Sequence, residues 1–211
     1  MSSLAGFILK VAIISSSGAL APGPLTAAAA ATGARKGWRG GFWISMGHLV
    51  VELPLVLLIG LGVASILTRD EVVRILALTG GIFLLFFSYL TARDALKFKS
   101  IGSSNTSSSP FLIGIALSAL NPFFIAWWAG VGSSLVAEAV ALWGFAGIGI
   151  LYASHVWLDF FWLTGLARIT SMSGFSMRIY RALLFSLAML VTIFGIDFLH
   201  YAIFEKHLLP F

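Results

Sequence analysis

Cysteine is absent from the 211 residues, which excludes disulfides and thiol chemistry and leaves the redox compartment unreadable. Charge is scarce as well. Only 10% of residues are Asp, Glu, Lys or Arg, against about 25% in soluble domains. So few polar groups cannot cover a globular surface, and lipid is the expected solvent. Proline is limited to six residues, so the places where it gathers carry weight.

What is abundant is apolar: 59% of the chain is hydrophobic, with a mean hydropathy of +1.01. A membrane-spanning helix needs roughly 20 mostly apolar residues. Six stretches qualify: Leu4–Ala31, Gly41–Leu67, Val72–Ala92, Phe111–Leu135, Val140–Ala167 and Met177–Phe204. The first lacks a basic lead-in, since its first cation, Lys10, lies inside the run; it reads as a retained helix and not as a signal peptide. No soluble domain is expected beside the bundle. The net charge of +5 does not indicate nucleic acid, because the cations sit in short loops between apolar runs. Nine of the thirteen follow the first, third and fifth spans: Arg35, Lys36, Arg39, Arg93, Lys97, Lys99, Arg168, Arg178 and Arg181. The positive-inside rule then places both termini outside a plasma or inner membrane.

The Ser-rich segment 100–110 divides the chain into residues 1–99 and 111–211, three spans each. With an odd number of spans per half, the second half enters from the opposite side. The expectation is an all-α membrane domain of two inverted three-helix repeats. The order of features agrees. Pro22-Gly23-Pro24 interrupts the first span and Asn121-Pro122 the fourth. Proline removes a backbone donor and clashes with the preceding turn. Backbone freed in this way at membrane depth must face protein or a hydrated cavity. Pro22, Gly23, Pro24, Asn121 and Pro122 are therefore candidates for substrate contact or gating. The bland alternative is a kink relieved by neighbouring helices.

Each interrupted span is followed by one with a histidine and an acid four residues apart, His48 and Glu52, then His155 and Asp159. That spacing puts both groups on one helix face. A carboxylate at membrane depth costs on the order of 3 kcal/mol on insertion scales, so it should pair, sit neutral or face the bundle interior. Because the two spans run in opposite directions, Glu52 is expected level with His155, and His48 with Asp159, in the inner half of the membrane. His next to a carboxylate suits proton carriage. Glu52 with His48 is the first candidate proton site and Asp159 with His155 the second. The alternatives are a structural ion pair, or a divalent metal held by His48, Glu52, His155 and Asp159. Nothing in the sequence resembles a His-Glu-x-x-His motif, so an intramembrane hydrolase has no support, and no cofactor is expected. Asp197 and His200, near the end of the last span, read as a solvated or capping pair. Trp127, Trp128, Trp157 and Trp162, with Phe86, Phe87, Phe160 and Phe161, read mainly as lipid-facing or interfacial anchors. Gly33, Gly37 and Gly41 recur at every fourth position beside the alanine run 27–31, a pattern for close helix packing within one chain or in a homodimer.

Ala21-Pro22-Gly23-Pro24, the loop Arg35–Gly41, Gly47 before a polar residue and Asn121-Pro122 together resemble the lysine-exporter (LysE/RhtB) translocator family over the whole chain. The resemblance implies export of amino acids or related small solutes from the cytoplasm, driven by an ion gradient, with protons the expected ion. The chain departs from that family at His48, where its amino-acid exporters carry Asp; here the acid stands at Glu52. The wider superfamily also includes metal-ion exporters, which keeps a divalent cation open as cargo. A membrane protein that transports nothing is the remaining alternative.

Overall fold

The structure, a computed structural model, describes residues 4–20, 23–67, 69–97, 109–172, 177–206 and 208. Pro22 and most of the Ser-rich segment lie outside the described residues. Among the described residues the chain is all helical, without strands. The helices are α1 (Leu4–Ala19), α2 (Pro24–Lys36), α3 (Trp38–Gly60), α4 (Ala64–Leu67), α5 (Asp70–Lys97), α6 (Pro110–Ala119), α7 (Pro122–Trp127), α8 (Ser133–Trp143), α9 (Gly147–Ser171) and α10 (Met177–Phe204). A π turn, Trp128–Gly132, joins α7 to α8. By length and composition three helical stretches can cross a membrane, Trp38–Gly60, Asp70–Leu90 and Pro122–Ser171, and a fourth if α1 and α2 count as one span. The protein is a multi-pass helical membrane protein. Large apolar side chains such as Leu9, Ile13, Ile82, Leu112 and Phe161 cover its outside.

Two expected spans are split in two. The axes of α1 and α2 meet at 76° across the Pro-Gly-Pro segment. Between α6 and α7, Leu120 and Asn121 leave the helical path, and the Asn121 side chain caps the new helix by accepting from Phe123 N at 3.1 Å. The amide thereby supplies the N-cap that a helix restarting at Pro122 needs. The proline in α3 behaves differently. Helix α3 runs through Pro54 without interruption.

The turn from α2 into α3 and the turn from α8 to α9 share one geometry. Gly37 has φ 64° and ψ −159°, and Gly144 has φ 65° and ψ −162°. Both lie at positive φ, where glycine alone is unstrained. Each returns its N–H to the carbonyl four residues back, Gly33 or Val140. Three residues on, Gly40 and Gly147 press against the backbone of Thr32 and Ala139, each five residues before its turn. A straight helix would hold such residues roughly 12 Å apart, so both turns are tight reversals. Gly37 thus serves as a hinge and not as a packing position, and has nothing near the place its Cβ would occupy. Gly33 and Gly41 do pack, both against Ala167.

Helices α3 and α9 run antiparallel, with Gly41 against Leu163 and Ala167 at one end and Gly60 against Ile148 at the other. The first of these is the basic end, near Arg35, Lys36, Arg39 and Arg168. Helix α6 crosses α3 where Gly114 meets Ile44 and Gly47. Helices α5 and α10 form a separate antiparallel pair. They touch at Gly81 and Gly195, and Ser88 Oγ lies 2.7 Å from Ala188 O and 2.6 Å from Thr192 Oγ1. Arg74 and Glu205 pair at 2.9 Å near the ends of these helices. Lys10, inside the first apolar run, is paired with Glu138 of α8 at 2.6 Å.

A Cβ on Gly114 would collide with the carbonyl oxygen of Ile44. Gly114→Val should therefore cost about 1–3 kcal/mol through overpacking, read as a fall in Tm in detergent. Gly130→Ala, where nothing lies within 4 Å, should leave Tm in place.

Candidate functional site

Counted from its turning glycine, each long helix presents the same series. His48 and His155 are eleventh, and Glu52 and Asp159 are fifteenth. Antiparallel packing of α3 on α9 then brings the four side chains together. Glu52 Oε1 lies 3.0 Å from His155 Nε2 and 3.1 Å from His48 Nε2. His48 Nε2 stands 4.0 Å from Asp159 Oδ1, and His155 Nε2 stands 3.2 Å from Asp159 Oδ2. All four residues are at least 95% buried. His155 is eight residues from Gly147 and His48 ten from Trp38, roughly 12 and 15 Å along the two helices. The cluster sits at mid-height. Two antiparallel helices carrying one register can match only around their common centre.

Three further side chains complete the site. Trp128, on the π turn, donates to Glu52 Oε1 at 3.0 Å, and Tyr152 donates to Glu52 Oε2 at 3.1 Å. Ser118, three residues before the break at Asn121, lies 2.7 Å from His48 Nδ1. The sequence reading set Trp128 among the lipid-facing anchors. It is 1% exposed, because the break at Pro122 and the π turn aim it inward. Tyr152 could have been noticed, since Tyr152, His155 and Asp159 share one helix face at spacings of three and four. Ser45, His48 and Glu52 occupy the matching places on α3. Trp157 and Phe161 do face outward, half or more exposed. Asp197 is not solvated: it is fully buried and accepts from Leu208 N at 2.6 Å, while His200 Nδ1 lies 2.6 Å from Lys206 O. That pair caps the end of α10.

The hydrogen bonds of Ser118 bear on the protonation of His48. Ser118 Oγ is 2.7 Å from Gly114 O. A carbonyl only accepts, so the single hydroxyl hydrogen is spent there. The contact with Ser118 must then be donated by His48 Nδ1. His48 Nε2 still needs a hydrogen on its line to Glu52 Oε1, either as imidazolium beside a carboxylate or as imidazole beside a carboxyl. With Ser118 donating to Gly114 O, the His48–Glu52 contact calls for one proton more than neutral imidazole and carboxylate together.

The cluster opens into a cavity of about 540 Å³, within the roughly 300–1,000 Å³ of small-molecule pockets. Both chain breaks border it, through Gly23 and Pro24 and through Asn121. Pro122 turns away and rests on Gly80 of α5. Trp127 lines the cavity and lies over the His155 ring, centroids 6.0 Å apart. Phe123, Phe124, Phe194 and Phe198 supply an apolar wall.

A helical membrane protein with discontinuous helices around a polar mid-height cavity has the build of a solute translocator. The family model for the LysE type translocator matches residues 16–202, and the chain belongs to that family. No curated protein and no solved structure matches it. Membership implies a membrane exporter of amino acids or other small solutes, and the family's members are transporters and not enzymes.

Trp128→Phe keeps an aromatic ring, smaller than the indole, and removes one hydrogen bond to Glu52. It should cost about 1.5–3 kcal/mol, the value of a buried hydrogen bond to a charged group, measured by thermal unfolding in nanodiscs. In a double-mutant cycle with His155→Gln, Glu52→Gln should show a coupling above about 0.5 kcal/mol; strict additivity would contradict the contact.

Proposed function

We propose that the chain is a secondary exporter that moves amino acids or related small solutes out of the cytoplasm, coupled to protons. It works as two inverted three-helix repeats, residues 1–99 and 111–211, linked by 100–110. It lies in the plasma or inner membrane with both termini outside. Two matching glycine turns, each followed by His and an acid at the same distance, support the repeat. An axis passing between α3 and α9 near Val50 and Trp157 exchanges the His48–Asp159 pair with the His155–Glu52 pair. Such an axis in the membrane plane is the mark of inverted-topology transporters.

The coupling rests on the contact of His48 Nε2 with Glu52 Oε1 at 3.1 Å, which needs a hydrogen when Ser118 spends its own on Gly114 O at 2.7 Å. While that hydrogen is present, Glu52 ties α3, α9 and the π turn together through His48, His155, Trp128 and Tyr152. When it leaves, a bare imidazole nitrogen faces a carboxylate oxygen at 3.1 Å, and that contact becomes repulsive. Proton release thus loosens the contact between the repeats. Solute enters between the repeats beside Gly23, Pro24 and Asn121, and rocking of one repeat on the other exposes it to the opposite side.

A second reading, a divalent-cation exporter, has one supporting observation. Ligand atoms of His48, Glu52 and Asp159 lie within 4.8 Å of one another. In proteoliposomes loaded with a mixture of the twenty amino acids, an opposing pH gradient should speed release of a subset. Glu52→Gln should reduce that release at least about tenfold, as expected for loss of an essential proton carrier. Zinc flux without amino-acid flux would favour the cation reading, and no flux of either kind would leave a protein that does not transport.

A further inference from the structure

The two carboxylates of the cluster are not equivalent. A carboxylate offers about four acceptor positions, and Glu52 meets four donors, from His48, His155, Trp128 and Tyr152. Three of these crowd Oε1 and Tyr152 covers Oε2, and at 1% exposure Glu52 offers a ligand little surface. Asp159 is 95% buried and lines the same cavity, yet its Oδ2 has no hydrogen-bond partner of its own among the described residues. Oδ2 lies 3.2 Å from His155 Nε2, a nitrogen that it shares with Glu52 Oε1 at 3.0 Å. Oδ1 is 4.0 Å from His48 Nε2, beyond hydrogen-bond reach. The described residues lining the cavity include neither lysine nor arginine. A buried carboxylate whose one near donor is shared with a second carboxylate is costly to keep, so a further partner should arrive with the cargo.

We propose that Asp159 is the binding group for the ammonium end of the solute, and that the solute's body is apolar and aromatic in size. This rests on the exporter reading and divides the labour of the site, with Glu52 holding the proton and Asp159 the cargo. A primary ammonium brings three donors to a carboxylate that has only a shared one. Beyond it, Phe123, Phe124, Phe194, Phe198 and Trp127 offer an apolar wall, and aromatic faces also attract the cation itself. A cavity of about 540 Å³ with such walls suits an organic cation better than a bare ion, which would leave most of it empty.

The test uses the purified full chain in lipid nanodiscs, titrated with L-phenylalanine, phenethylamine, 3-phenylpropionate and zinc chloride, with Tm as the readout. The two amines should raise Tm, and 3-phenylpropionate should not. Asp159→Asn should weaken both amines at least about tenfold, the scale for losing one member of a buried charge pair. Asp159→Glu should recover part of that loss. If 3-phenylpropionate binds as tightly as L-phenylalanine, or if Asp159→Asn binds the amines unchanged, the assignment is wrong. The wild-type titrations decide this even if both variants fail to fold. Should proteoliposomes still release amino acids in that case, the exporter stands and only the role of Asp159 falls. If zinc alone binds and no amino acid is released, both fall together.

Discussion

One carboxylate organises the middle of this protein. Glu52 is 1% exposed and receives hydrogen bonds from two helices and from the π turn of a third segment. An isolated charge at that depth would be driven out or neutralised. Four donors make it tolerable, and each donor comes from an element that must therefore stay in place. His155 and Tyr152 fix α9 against α3, and Trp128 fixes the segment following the second break. Ser118 is bound in through His48 and positions the end of α6. The polar centre of the bundle is in this sense also its clamp.

The apolar packing explains why such a centre can form. Glycines let α3 approach α6 and α9 until backbones touch, at Gly47, Gly114 and Gly41. With larger residues there, the side chains of α3 and α9 would stand too far apart for hydrogen bonds about 3 Å long. The turning glycines set the rotational phase. Because Gly37 and Gly144 adopt the same backbone angles, the residues eleven and fifteen places later emerge on corresponding faces. Close approach and equal phase together bring two histidines and two acids to one level.

Much of this could be read in the sequence, and for definite reasons. Proline pairs in apolar runs announce broken helices, and a His and an acid four apart announce a polar face. The pairing of Glu52 with His155 follows from opposite helix directions and equal rise. Other features were hidden. The difference between Pro24-to-His48 and Pro122-to-His155 obscured the register, because the count began at the break; all the difference lies before the turning glycine. Trp128 looked like an anchor because Trp usually is one at membrane surfaces, and only a break and a π turn upstream direct it inward. The second span, expected over Gly41–Leu67, is a helix from Trp38 to Gly60, starting three residues and ending seven residues earlier. The unequal states of Glu52 and Asp159 depend on which nitrogen faces which oxygen, and spacing cannot show that.

The stretch between break and turn runs from Pro24 to Gly37 in one half and from Pro122 to Gly144 in the other. The longer arm carries a π turn and the Lys10–Glu138 bridge, neither of which has a counterpart in the shorter one. A twofold that swaps α3 with α9 cannot swap these arms. In a translocator that alternates between two openings, the two end states then differ in free energy even with nothing bound. Such a bias leaves the attainable gradient untouched but makes the empty return and the loaded passage unequal in speed.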